Sequence, residues 1–144
     1  MKIWIHPIVS SAKAASPDDI SYYDKSKGLT FFETSRFRAS AETLNLSDES
    51  LFTLQSEIIK DPTIGDRVQG VPGARKVRVA YIQKGNSNKK LGQRSGLRVI
   101  YVVFFVKSAV FLLDIYYKNK KEDLSSEDKK RLNSMLFEIR KGDV

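Results

Sequence analysis

Four cations at strand-like positions are the residues of this chain best placed to do chemistry. Lys76 and Arg78 lie two apart in RKVRVAYI, residues 75–82, where Val77, Val79 and Tyr81 alternate with Lys76, Arg78 and Ala80. Residues two apart on a strand share a face, roughly 7 Å from one another. Arg98 opens the next apolar run, LRVIYVVFFV at 97–106, and Lys118 closes the one after it, VFLLDIYYK at 110–118. If Lys107, Ser108 and Ala109 turn the chain, Val106 pairs with Val110 and Arg98 falls opposite Lys118. A slip of one residue would send the two to opposite faces.

Four such cations suit a scissile phosphodiester. RNA can be cut without a metal if three demands are met: a group takes the proton of the ribose 2′-hydroxyl, another holds the charge on the phosphoryl oxygens, and a third protonates the leaving 5′-oxygen. Arginine fits the second role, because its planar fork matches phosphate and stays charged. A lysine crowded by cations can exchange a proton nearer neutral pH than a free one. The product would be a 2′,3′-cyclic phosphate. Arg75, Lys84, Lys89, Lys90, Arg94, Lys120 and the aromatic Tyr116 are candidate RNA contacts around this core. The plainer alternatives are a solvated basic face, or phosphate binding without chemistry.

Charge distribution and composition narrow the choice. The net charge is +8, and it is concentrated: residues 67–120 hold twelve Lys/Arg against one Asp/Glu, whereas residues 29–66 hold three against seven. Such a field suits a polyanion. No cysteine is present, which removes disulfides, thiolate metal sites and cysteine nucleophiles and fits a cytoplasmic protein. The single histidine, His6, cannot build a multi-histidine metal site, so zinc chemistry is not expected and no cofactor is implied. In the basic stretch Asp114 is the lone carboxylate, too few for a magnesium nuclease. The run 99–115 is broken by Lys107 and Asp114, so no membrane helix is expected. The opening apolar run, interrupted at His6-Pro7, is not read as a signal peptide.

The elements that must carry these residues follow in order. Residues 1–28 read as an N-terminal extension and 29–144 as one domain, a length that supports a single core. A strand at 29–34 leads to a short helix at 35–44. Ser47 caps a second helix, with Leu51, Leu54 and Ile58 at helical spacing and Phe52 and Ile59 in support; Asp61-Pro62 ends it. PTIGDRVQGVPG, 62–73, reads as a plain connecting loop; it lacks the Gly-Lys-Ser/Thr ending of a P-loop and precedes a strand. The run 97–106 is apolar enough for a central strand covered on both faces. A last helix starts near Ser125 or Ser126, packs Leu132, Met135, Leu136 and Ile139, and stops at Gly142. The fold class is then α+β: a small antiparallel or mixed sheet, two N-terminal helices packed on it and a C-terminal helix, with the helices against one face.

Three blocks, GVPGARKVRVA (70–80), SGLRVIYVVF (95–104) and FLLDIYYKNKKEDLSSEDKKRL (111–132), resemble toxins of the RelE/ParE superfamily, in particular its HigB-like branch. The resemblance spans roughly residues 30–141. It implies a RelE-like fold and a toxin of a bacterial type II toxin–antitoxin pair: a metal-independent endoribonuclease that enters the ribosomal A site beside 16S rRNA, cuts mRNA and so inhibits translation. It also implies a cognate antitoxin, commonly a helix-turn-helix, HigA-like protein. By resemblance Lys76 and Arg78 take the places of the paired basic residues on the second strand. Arg98 takes that of the arginine before the VIY strand, which serves phosphate or transition-state charge, and Lys118 that of a basic residue after the last strand. Many members carry a C-terminal tyrosine that stacks on the base; here that region reads KNKKEDLSSEDKK, with Tyr116 and Tyr117 the nearby substitutes. The alternative reading is a non-catalytic module, a degenerate toxin that binds RNA or an antitoxin through the same face.

Overall fold

A computed structural model describes residue 26 and residues 28–79, 81–82, 90–91, 96–118 and 123–142. Strand β1 (Thr30–Glu33) is followed by helices α1 (Ser35–Thr43) and α2 (Asp48–Lys60), then by the short strand β2 (Asp66–Arg67) and by β3 (Ala74–Arg78). Two more short strands, β4 (Tyr81–Ile82) and β5 (Lys90–Leu91), pair with each other. The long strands β6 (Leu97–Phe104) and β7 (Ala109–Tyr117) and helix α3 (Ser126–Lys141) complete the chain. The main sheet has five strands in the order β1-β7-β6-β3-β2. Only β1 runs parallel to its neighbour; the other pairs are antiparallel. The protein is α+β, with a mixed sheet.

Each helix forms where its caps and apolar spacing place it. Thr34 accepts a hydrogen bond from the Phe37 amide and starts α1, and Ser47 does the same for α2 through Ser50. Ser125 and Asp128 make a reciprocal capping box at the start of α3, and Gly142, with φ of 77°, ends it in the left-handed region. In α2, Leu54 and Ile58 are buried, while Phe52 and Ile59 face outward.

The helices cover both faces of the sheet, not one. Phe37 of α1 and Leu54 and Ile58 of α2 pack with Val99, Tyr101, Val103, Val110 and Leu112. Leu132, Leu136 and Ile139 of α3 pack on the other side with Ile100, Val102, Phe104 and Phe111. The reason is compositional: every residue of β6 is buried, so each face of that strand needs a cover.

Three local expectations change. The run 75–82 is not one strand, because its partner β6 begins only at Leu97. The last rung of the ladder is the Val79 amide on the Leu97 carbonyl at 3.1 Å, and Tyr81–Ile82 turns to Lys90–Leu91 instead. The loop 62–73 holds a two-residue strand, β2, paired with β3. The hairpin between β6 and β7 closes through a turn of 3-10 helix at Phe105–Lys107, with Ser108 in the left-handed region, so Phe104 pairs with Ala109.

Candidate nucleic-acid interface

The register brings three of the four expected cations side by side on one face, with Lys118 further along at the strand end. Arg78 pairs with Arg98 and Lys76 with Ile100 across β3 and β6, and Arg98 pairs with Tyr116 across β6 and β7. Lys76, Arg78, Arg98 and Tyr116 therefore share the face that α3 covers further along. The Val79–Leu97 hydrogen bond makes that neighbouring pair the bonded one. Arg78 and Arg98 are thus a non-hydrogen-bonded pair, the kind whose side chains lie closest, with Cα atoms roughly 4.5 Å apart.

Lys118 does not stand opposite Arg98. The turn falls earlier and is one residue longer than expected, with Phe105–Ser108 between the paired Phe104 and Ala109. Together with the extra residue in β7 it moves the pairing by two positions, so the Lys118 amide bonds the Gly96 carbonyl at 2.7 Å, one rung pair beyond Arg98. The shift is even, so the parity that the expected register gave is kept. Lys118 is exposed at the strand end, Arg78 is exposed, and Lys76 is half-buried.

Arg98 and Tyr116 are buried, each about 8% exposed. The Arg98 guanidinium reaches the Leu97 carbonyl at 3.4 Å, and among the described residues it has no carboxylate within ion-pair distance. Burial and the neighbouring Arg78 charge both lower its pKa, while Tyr116 opposes them. It stays cationic, since the starting value lies so far above neutrality. The Tyr116 phenol is pushed up to about 12, chiefly by burial, with Asp114, Asp123 and Asp128 adding to the rise and Arg98 working against it. A phenol with that pKa keeps its proton throughout the neutral range and serves as a donor, not a base.

Arg75 lies outside this group. It points to the opposite face, where its guanidinium donates to the Gly65 carbonyl at 2.8 Å and the Thr63 carbonyl at 3.3 Å. Tyr101 secures the same loop, donating to the Pro62 carbonyl at 2.8 Å and accepting from the Gly65 amide at 3.0 Å. Gly65 must be glycine, because a Cβ there would come within 2.8 Å of the Lys76 carbonyl oxygen. Arg75 is thus a clamp on the loop beside Lys76. Lys84, Lys89, Arg94 and Lys120 lie outside the described residues, as do residues 1–25; Lys90 is placed only as a backbone position in β5. Tyr117 is half-buried against the α1/α2 side.

Sequence reasoning left Asp114 without a task and did not single out Thr34, Arg36 or Ser40. Asp114 is 3% exposed and accepts from Arg36 Nε at 3.1 Å, Ser40 Oγ at 3.3 Å and the Ile115 amide at 2.8 Å. The one available signal was that a lone carboxylate inside an apolar strand needs partners from elsewhere.

No known protein-family profile matches the chain. Among solved structures it is similar to the E. coli toxin RelE, a mutant in the free state, at 20% identity and a TM-score of 0.44, over 73% of this chain and 98% of that one. Among the described residues no helix is long and apolar enough to cross a membrane. Nor do three His, Cys, Asp or Glu side chains converge there as a metal site would need.

Proposed function

We propose that the protein is a metal-independent endoribonuclease of the RelE/HigB type, the toxin of a toxin–antitoxin pair, which cuts mRNA on the ribosome. The observation that carries this reading is the Arg78–Arg98 pair: like charges face each other across two strands, one is buried, and no described carboxylate relieves them. Like charges directly opposite on a sheet are destabilising. Their retention makes sense where an anion completes the site, and the sequence blocks around them resemble that toxin family.

In the proposed reaction the ribose 2′-oxygen attacks the adjacent phosphorus and the bond to the 5′-oxygen breaks. This leaves a 2′,3′-cyclic phosphate and a 5′-hydroxyl. Arg78 and Arg98 hold the phosphoryl oxygens, already oriented and partly desolvated, so little reorganisation is left for the reacting complex. Lys76, the amine on the same face, takes the 2′-hydroxyl proton, and the Lys118 ammonium at the rim gives a proton to the departing 5′-oxygen. Tyr116 supports Arg98 from beneath; at 8% exposure it is not a stacking platform. The ribosome supplies the alignment of ribose and phosphate that a free strand lacks. A helix-turn-helix antitoxin is the expected inhibitor.

Expression without an antitoxin should arrest growth and leave messages truncated within codons at the ribosomal A site, as primer extension reads. Lys76→Ala with Arg98→Ala should abolish both while the protein stays folded. A toxic double variant would overturn the site. A wild type that binds ribosomes and cuts nothing would replace this reading with the binding module.

A further inference from the structure

Strand β7 carries one residue more than β6 opposite it. Tyr101 pairs with Leu112 but Ile100 pairs with Asp114, so Leu113 is the extra residue of a β-bulge. The alternation of side chains inverts there. Before the bulge, Ala109, Phe111 and Leu113 face α3 and Val110 and Leu112 face α1 and α2; after it, Ile115 faces α1 and α2 and Tyr116 faces the α3 side. If Leu113 instead paired with Ile100 as a regular strand residue, Tyr116 would turn under α1 and α2, and Ile115 would stand opposite Arg98.

Helix α1 and its cap hold this bulge through three side chains. The Thr34 hydroxyl donates toward the Leu112 carbonyl at 3.0 Å and the Leu113 carbonyl at 3.2 Å, and the Thr34 amide donates to the Leu112 carbonyl at 3.2 Å. Arg36 Nε and Ser40 Oγ bind the two oxygens of the Asp114 carboxylate, and one of those oxygens also takes the Ile115 amide. These partners come from more than seventy residues upstream, and the carboxylate is buried. Breaking such a pair leaves a buried charge uncompensated.

We propose that Asp114, clamped by Arg36 and Ser40, is a positioning residue for the candidate site: it fixes the bulge at Leu113 that turns Tyr116 onto the face of Arg98. The link to cleavage rests on the function proposed above; the link to Tyr116 does not.

The test is a titration cycle on the full chain labelled with 13C at tyrosine Cζ, with the Tyr116 signal assigned through Tyr116→Phe. Because the Arg98 charge favours the phenolate, Arg98→Gln should raise the Tyr116 midpoint in the wild-type background. In Asp114→Leu the same Arg98→Gln change should leave that midpoint where it was, the coupling being lost. Asp114→Asn, which keeps an acceptor for Ile115, should restore the coupling. Cleavage by Asp114→Leu should fall in kcat, on the order of a hundredfold, with KM little changed. A folded Asp114→Leu with intact coupling overturns the proposal. If that variant does not fold, Arg36→Gln decides in its place: weakened coupling supports the clamp and full coupling overturns it. A wild type that does not cleave would end the functional reading alone, because the titration would still decide the positioning.

Discussion

Arg78 and Arg98 face each other across β3 and β6 as a close, non-hydrogen-bonded pair, with the second guanidinium buried and no described carboxylate beside either. Two cations held this way cost stability in the free protein and form a ready seat for an anion. That relationship generates predictions about stability as well as activity.

Replacing Arg98 by Met keeps an unbranched chain of similar length and removes the repulsion. The folded state should hold or gain about 0.2–1 kcal/mol, read from urea midpoints, while cleavage falls roughly 10²–10³-fold. A loss of stability well beyond that gain would mark Arg98 as a structural residue instead.

Lys76→Arg separates charge from proton exchange. The guanidinium still binds phosphate but does not give up its proton. RNA affinity and its salt dependence should stay near wild type in filter binding, and the single-turnover cleavage rate should drop by about 10²-fold. An undiminished rate would remove Lys76 from the chemistry.

Arg78 and Lys118 are exposed on or beside the same face, and Arg75 is not. Removing Arg78 or Lys118 should each reduce the slope of log affinity against log salt by about one. Arg75→Ala should leave that slope unchanged and cost about 1.5–3 kcal/mol of stability, since its guanidinium binds two loop carbonyls. The reversed pattern would mean that the two sides of β3 have exchanged roles.

Tyr116 sets an alkaline limit. Its folded pKa is raised to about 12, whereas an unfolded tyrosine titrates near 10. Below about pH 10 both states are protonated and stability is unaffected. Between the two values the unfolded chain ionises first, so stability should decline by up to roughly 2–3 kcal/mol. Tyr101, also raised by burial, adds to the same decline. Denaturant midpoints measured from pH 9 to 12 should show Tyr116→Phe with the shallower loss; equal slopes would show that the phenol is not buried in solution.

The periodicity of the chain was enough to locate α2 and α3 with their caps, to find the apolar β6 and β7, and to place Lys76 and Arg78 on one side of a strand. Local rules suffice for these features, because a cap or an alternation is set by residues a few positions apart. The single-face arrangement of the helices was misread, although the unbroken apolar run of β6 already called for two covers. Register across strands was not legible, because an earlier, longer turn through a 3-10 segment and one extra residue in β7 moved Lys118 away from Arg98 and left Tyr116 in its place. Nothing local marks Leu113 as that residue. The bulge is chosen by Thr34, Arg36 and Ser40, which meet Leu112, Leu113 and Asp114 only when the distant α1 docks on β7. The sequence therefore determined which residue types were on offer and which side of its own strand each would take. Tertiary structure decided which of them face one another, because a one-residue change in pairing reverses every side chain beyond it and only long-range contacts can hold that choice.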